Sequence, residues 1–382
     1  MTPSRVVLAP DKFKGSLTAP EVAAALAAGI ARAAPDADIV ELPVADGGDG
    51  TVDAFVAAGW ERVRTEAVGP TGLPSTASYA VRGQTAVIEL AEVVGLVKLP
   101  GGQPDPMGAG TYGLGLLIRD ALDRGLREIV LAVGGSASSD GGAGMLQALG
   151  LQILDSNGDE LPRGAAALAH ARRIDGTGLH PAIADTTFVL ASDVDNPLLG
   201  AHGAVAVFAP QKGADRQQCV ELAAALTNWA DLIESSDVVG PAAHSADWAE
   251  YAGAGAAGGT GFGAMAVLGA RPRPGIDAIL ELIDFAGRAR GAELVVTGEG
   301  ALDEQTLRGK APAGVAAAAN AAGATVTAVA GRCELVPEQL RAAGFDRCYA
   351  LSDLEPDLDR CLADAGRLVE ELGARIAADY LH

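Results

Sequence analysis

Lysine is scarce in this 382-residue chain, and its positions are the first sign of chemistry. Of 28 basic residues only Lys12, Lys14, Lys98, Lys212 and Lys310 are lysines, and all but Lys98 stand in unusual glycine-bearing loops. A compact ammonium on a flexible stem acts on phosphate as a point charge, whereas a guanidinium makes a rigid fork. A chain that writes nearly every cation as arginine but keeps lysine in these loops points to anion chemistry there. The loops also carry carboxylates. Asp46 and Asp49 share the glycine-rich run Ala45–Thr51, where the backbone can approach a ligand and the carboxylates can accept a hydroxyl proton or hold Mg²⁺, although Asp-Gly is also a common plain turn.

Three further loops follow the same grammar. Pro10–Ser16 sets Lys12, Lys14, Gly15 and Ser16 between a strand and a helix, where exposed N–H groups favour phosphate or carboxylate. An ordinary βα turn with a Ser or Thr cap reads much the same. Gly134–Gly144 follows a strand and opens a helix, with Gly134, Gly135, Ser136, Ser138 and Asp140 forming a candidate backbone nest for nucleotide phosphates. Thr297–Pro312 carries Glu299 and Asp303 as candidate Mg²⁺ ligands and Lys310 at a helix start. A fifth region brings Asp193 and Asn196 after one strand and Lys212 after the next, at a single sheet edge. Pro10–Ser16 is not a Walker A loop, and Gly134–Gly144 lacks the G-x-G-x-x-G of dinucleotide sites. The glycine-dense run Gly253–Gly263 suits close packing or ligand contact equally.

The elements that must position these loops alternate. Apolar period and turn signals predict strand 5–9, helix 19–33, strand 38–43 and helix 50–58. Short alternating strands follow over 61–90, with a hairpin connection near Val81–Thr85. Helix 112–123, strand 128–133, a helix from about Gly142, strands 187–191 and 205–208, and helix 216–235 continue the chain. The last third predicts helix 275–287, strand 293–297, helix 311–322, strands 325–330 and 347–351, and a long closing helix. Strand–helix units at both ends around a differently patterned middle predict α/β architecture in two domains. One is a discontinuous Rossmann-like parallel α/β domain, 1–68 with 275–382; the other is a mixed α/β domain, 69–274, inserted in it.

Charge and composition narrow the partners. A net charge of −21 with no basic stripe argues against nucleic acid and anionic membranes, and for a small anionic substrate held by a few local cations. Four cysteines without a C-x-x-C pair and five histidines without ligand spacing argue against zinc. There is no charged-then-apolar leader ahead of Arg5–Ala9 and no apolar run of spanning length, so a cytoplasmic protein with reduced thiols is expected.

Seven segments in order, residues 9–16 (APDKFKGS), 45–51 (ADGGDGT), 105–115 (DPMGAGTYGLG), 134–145 (GGSASSDGGAGM), 192–214, 253–259 and 297–315, resemble those of the glycerate kinase type-1 family across nearly the whole chain. Family members commonly have Ala-Thr-Asn-Asp where this chain has Ala137-Ser138-Ser139-Asp140, and a glycine where it has Ala209. The resemblance implies a two-domain α/β kinase that transfers the γ-phosphate of ATP to D-glycerate with Mg²⁺, generally giving 2-phosphoglycerate. Under that reading Asp46, Asp193, Lys14 and Lys212 are the expected catalytic residues, with Asp46 or Asp193 as base. Lys12, Ser16, Asp49, Asn196 and Lys310 are expected to bind substrate. Gly134, Gly135, Ser136, Ser138 and Asp140 are expected to bind the nucleotide, and Glu299 and Asp303 the metal. The expected partners are D-glycerate and ATP, with no nucleic acid or membrane, in a chain that can form a homodimer. Two rivals are a non-catalytic sugar-acid binding module and a nicotinamide-dependent hydroxy-acid dehydrogenase; the second would need the dinucleotide fingerprint between a strand and a helix, which the loop Gly134–Gly144 lacks.

Overall fold

The computed structural model describes residues 4–238 and 247–381. In chain order its strands are β1 (Arg5–Pro10), β2 (Asp38–Glu41), β3 (Glu61–Val68), β4 (Pro74–Arg82), β5 (Thr85–Glu89), β6 (Glu128–Ala132), β7 (Gln152–Leu154), β8 (Arg173–Asp175), β9 (Thr187–Ala191), β10 (Arg271–Arg273), β11 (Leu294–Leu302), β12 (Thr325–Cys333) and β13 (Cys348–Ala350). The chain clusters into two compact units. One comprises Met1–Asp46, Asp53–Trp60 and Pro274–His382; the other comprises Gly47–Val52 and Glu61–Arg273.

The first unit is built on a five-stranded, wholly parallel sheet in the order β13-β12-β11-β1-β2. Val6, Val7, Leu8 and Ala9 of β1 are all buried, as a central parallel strand covered on both faces requires. Helix Ala19–Ala33 starts where the sequence signals it: Thr18 and Glu21 form a capping box and Pro20 occupies the first turn. Its apolar stripe Val22, Leu26 and Ile30 faces the core. The same face meets the closing helix Ala365–Tyr380 at Gly29, where a Cβ would collide with the Glu370 carbonyl. The predicted helix 275–287 is two helices, Gly275–Leu282 and Phe285–Arg288. Asp284, with φ of 55°, turns the chain left-handed between them, and its carboxylate accepts from Gly287 N at 3.2 Å to start the second.

The second unit holds a six-stranded mixed sheet in the order β10-β9-β6-β5-β4-β3. β10, β9, β6 and β5 are parallel, while β4 and β3 add on antiparallel. β3 pairs with β4 along its whole length, Glu61↔Val81 to Val68↔Pro74. Residues 61–68, assigned from sequence to the first domain, therefore lie in this sheet, because their ladder partner follows after a short glycine turn rather than preceding them. The segment 205–208 is also corrected: it is part of helix Ala204–Phe208, not a strand. In a strand Val205 and Val207 would share a face; here Val205 is buried and Val207 is exposed, as helical rotation dictates. The core gathers the apolar faces of β5, β6 and β9 with helices Tyr112–Asp123, Arg216–Glu234 and Ala256–Leu268.

Candidate active site

In the first unit the strand order reverses direction between β1 and β11, the kind of switch point at which open α/β sheets bind ligands beyond their strand ends. The loops leaving those two strands lie together. Asp11 N donates to the Gly298 carbonyl at 2.8 Å, and a Cβ on Gly300 would stand 3.1 Å from Lys14 N, so glycine there allows close approach. Residues 13–17 fold into a tight turn, with Phe13 N donating to Leu17 O and Ser16 N donating to Phe13 O. Gly15, with φ of 86°, sits at its tip beside exposed Lys14. The Ser16 hydroxyl donates to Phe13 O at 3.1 Å and so helps close the turn. Lys12 and Asp46 are half-buried.

Asp11, not singled out from sequence, is a strongly perturbed carboxyl of this unit. It is buried and accepts from Lys12 N at 2.6 Å. Burial first, then the Asp46 and Glu299 carboxylates, push its carboxyl up to about 8 against the pull of Lys12. Glu299 is likewise raised, chiefly by burial. Its two oxygens are engaged: Thr306 Oγ1 donates to Oε1 at 2.6 Å, and Lys310 Nζ lies 3.4 Å from Oε2. Asp303 Oδ1 accepts from Gln305 N and Thr306 N, closing the turn that delivers Thr306. Among the described residues no three His, Cys, Asp or Glu side chains converge as a metal cage. The carboxylates of Glu299 and Asp303 are oxygen donors of the kind magnesium takes one or two at a time, with phosphates and water completing its shell.

In the second unit the parallel strands β5, β6, β9 and β10 all end at one edge, and the loops Gly134–Gly144 and Ser192–Leu198 leave the ends of β6 and β9. The loop after β6 is held on several sides. Gly134 N donates to Gly47 O at 2.9 Å, and a Cβ on Gly134 would stand 2.6 Å from Gly48 Cα. Leu96 N donates to Gly135 O, and Ala137 N donates to Val94 O. Gly134 and Gly135 are the parts of this loop that solvent reaches; Ser136, Ser138, Ser139 and Asp140 are buried.

Burial assigns these side chains internal partners. Asp140 Oδ2 accepts from Thr111 N, Thr111 Oγ1 and Gly144 N at 2.8, 2.9 and 3.1 Å, while Oδ1 accepts from Gly142 N at 3.3 Å. Its carboxylate thus ties the loop to the start of helix Tyr112–Asp123 instead of facing solvent. Lys212, expected on an open loop after a strand, instead lies in the turn Pro210–Lys212 and is only 3 % exposed. Its ammonium donates to Ser136 Oγ at 2.8 Å and Ser138 O at 2.5 Å. Burial lowers it to about 7, against the favourable charge of Asp140. The Ser138 hydroxyl is buried with no hydrogen-bond partner among the described residues.

Asp193 is exposed on the loop after β9. Asn196 holds that loop in shape, its side-chain amide donating to His202 O at 2.8 Å and its backbone carbonyl accepting from Gly255 N at 2.9 Å. The run Gly253–Gly263 resolves toward close packing: a Cβ on Gly258 would collide with the Ser138 carbonyl, and one on Gly259 would stand 2.8 Å from Gly141 Cα. Sequence reasoning also missed Glu89, whose only local signal is a carboxylate ending an apolar strand. A cavity of about 650 Å³ opens elsewhere in this unit beside Gly72, Tyr112 and Arg163. None of the candidate side chains lines it.

With this geometry in place, comparison with known proteins is specific. The family model described as the glycerate kinase family matches residues 6–381. A glycerate kinase of Halalkalibacterium halodurans is 40% identical over 375 residues, covering 97% of both chains. A glycerate 2-kinase of Escherichia coli K12 is 42% identical over 378 residues, covering 98% of this chain and 97% of its own. A crystal structure described as glycerate kinase 2 from Salmonella typhimurium LT2 superposes with a TM-score of 0.84 at 39% identity, covering 99% of this chain and 98% of the other.

Proposed function

Since the chain belongs to the glycerate kinase family, we propose that it transfers the γ-phosphoryl group of ATP to the 2-hydroxyl of D-glycerate, releasing ADP and 2-phospho-D-glycerate. The geometric observation that carries the reading is Lys212, a buried ammonium bonded into a glycine loop at the end of a parallel strand. The choice of the 2-hydroxyl is supported by the name of the Escherichia coli relative, a glycerate 2-kinase.

Phosphoryl transfer asks a protein mainly for position and for charge at the transferred group. Lys12, Lys14 and Ser16 hold the glycerate carboxylate or the transferred phosphoryl, with exposed Lys14 as the mobile cation. Asp46 or Asp193 orients the 2-hydroxyl and accepts its proton. Asp49, Asn196 and Lys310 complete the substrate contacts. The exposed backbone of Gly134 and Gly135 receives ATP phosphates, while Ser136, Ser138, Asp140 and Lys212 set the shape and charge of that loop. Mg²⁺, held by Glu299 and Asp303 directly or through water, neutralises phosphate charge when bound.

The same reading comprises a discontinuous Rossmann-like domain made by both ends of the chain with the middle inserted, and a cytoplasmic enzyme of small molecules that can assemble as a homodimer. Among the described residues no helix is long and apolar enough to cross a membrane.

A coupled assay of ADP release tests the proposal. ADP should form only when D-glycerate and MgATP are both present, and its formation without dependence on glycerate would remove the kinase reading. Lys14→Ala and Asp193→Asn should each lower kcat/KM by about 10²-fold or more. Near-wild-type turnover of both variants, folded, would overturn the residue assignment while leaving the family in place.

A further inference from the structure

Glu89 is the last residue of β5, buried at 2 % exposure, and no step above uses it. Its carboxylate spans two backbone donors. Gly50 N donates to Oε1 at 3.1 Å and Val52 N donates to Oε2 at 3.0 Å. These are N–H groups at the entry to helix Thr51–Ala57, among the donors a helix start leaves without partners. The helix is therefore capped from a distance by a strand-end carboxylate. The loop so held, Gly47–Gly50, carries Asp49 and includes Gly47 and Gly50 at φ of 89° and 93°, where only glycine sits without strain. Gly47 O in turn accepts from Gly134 N, and Gly48 packs on Gly134. One buried carboxylate thus anchors one glycine loop, and that loop abuts the glycine loop proposed for phosphate.

We infer that Glu89 is a positioning residue for the kinase reaction: as a carboxylate it fixes the Gly47–Val52 loop, and with it Asp49, against Gly134. This rests on the functional reading above. Both N–H groups need an acceptor, and the ionised form supplies two strong ones; protonation leaves one oxygen a hydroxyl, a weaker acceptor that also carries a donor. The charged groups that act on it most strongly, Glu92 and Asp49, are both negative. Burial first, then these carboxylates, raise Glu89 to about 7 against the pull of Val52 N and Gly50 N. Loop geometry is therefore coupled to protonation close to neutral pH.

Two measurements test this. In the wild-type protein, the amide protons of Gly50 and Val52 should shift together in a TROSY pH titration with a midpoint near 7. In kinetics, Glu89→Gln keeps the shape but faces one N–H with an amide N–H₂. It should lower kcat/KM by about tenfold or more and remove the acid limb near pH 7, while Glu89→Asp should recover part of the activity above that limb. Folded Glu89→Gln with kcat/KM within about twofold of wild type and an unmoved acid limb would overturn the inference. So would amides of Gly50 and Val52 that do not titrate, which decides the matter if Glu89→Gln does not fold. Absence of glycerate-dependent ADP in the wild type is a different failure, that of the functional reading, and leaves the amide titration free to report on loop anchoring.

Discussion

Burial acts on Asp11 and Lys212 in opposite chemical directions but penalises the charged form of both. Asp11 is raised to about 8, so the folded state holds its proton more tightly than the unfolded chain. The stability this contributes is full below the ordinary carboxylate range and is lost as pH climbs to about 8. Asp11→Asn mimics the neutral acid. Its apparent unfolding midpoint should move upward relative to wild type between pH 5 and pH 9, and a constant difference would show that Asp11 is not perturbed. Lys212 is lowered to about 7, so the unfolded chain binds its proton more tightly from there up to the ordinary lysine value. Stability from this group therefore rises with pH across that window. Relative to Lys212→Met, wild type should gain stability between pH 6 and pH 10 in the same denaturation series.

At the level of helices and strands, two glycines of the first unit make opposite forecasts. Gly29 lies where helix Ala19–Ala33 touches helix Ala365–Tyr380, with no space for a methyl group against the Glu370 carbonyl. Alanine gains about 1 kcal/mol of helix propensity, but forcing the helices apart costs about 1–3 kcal/mol or more. Gly29→Ala should therefore lower the denaturant midpoint. Gly366, on the second of these helices, has nothing within 4 Å of an added Cβ, so Gly366→Ala should raise the midpoint by about 0.5–1 kcal/mol in stability. Helices 19–33 and 112–123 were legible because each carries an apolar stripe over three or more turns, the first also a capping box. Residues 204–208 were not. Five residues of Ala, Val and Phe satisfy both periods, and tertiary packing against Leu198 decided between them, with Ala204 N donating to Leu198 O. The break at Asp284 was hidden for a similar reason: its left-handed turn is made by an Asp that reads as an ordinary helical surface residue.

Across the whole molecule, strand order converts scattered motifs into two sets of loops, one at the β1/β11 switch point and one beyond β5, β6 and β9. The loops themselves were readable because glycine, lysine and carboxylate are conspicuous in a chain so poor in lysine. Their internal wiring was not, because it depends on burial. Asp140 looks in sequence like a metal or phosphate contact, yet its oxygens serve Thr111, Gly142 and Gly144. Glu89 looks like the end of a strand, yet it holds a loop 37 residues earlier in the chain. A net charge of −21 also sets any local cation against a background that repels an anion. The most direct test of the central claim is phosphorus NMR of the product formed from D-glycerate and MgATP. The account predicts ADP and a single phosphomonoester on the 2-hydroxyl in equal amounts; 3-phosphoglycerate, or ADP with inorganic phosphate and no phosphoglycerate, would contradict it.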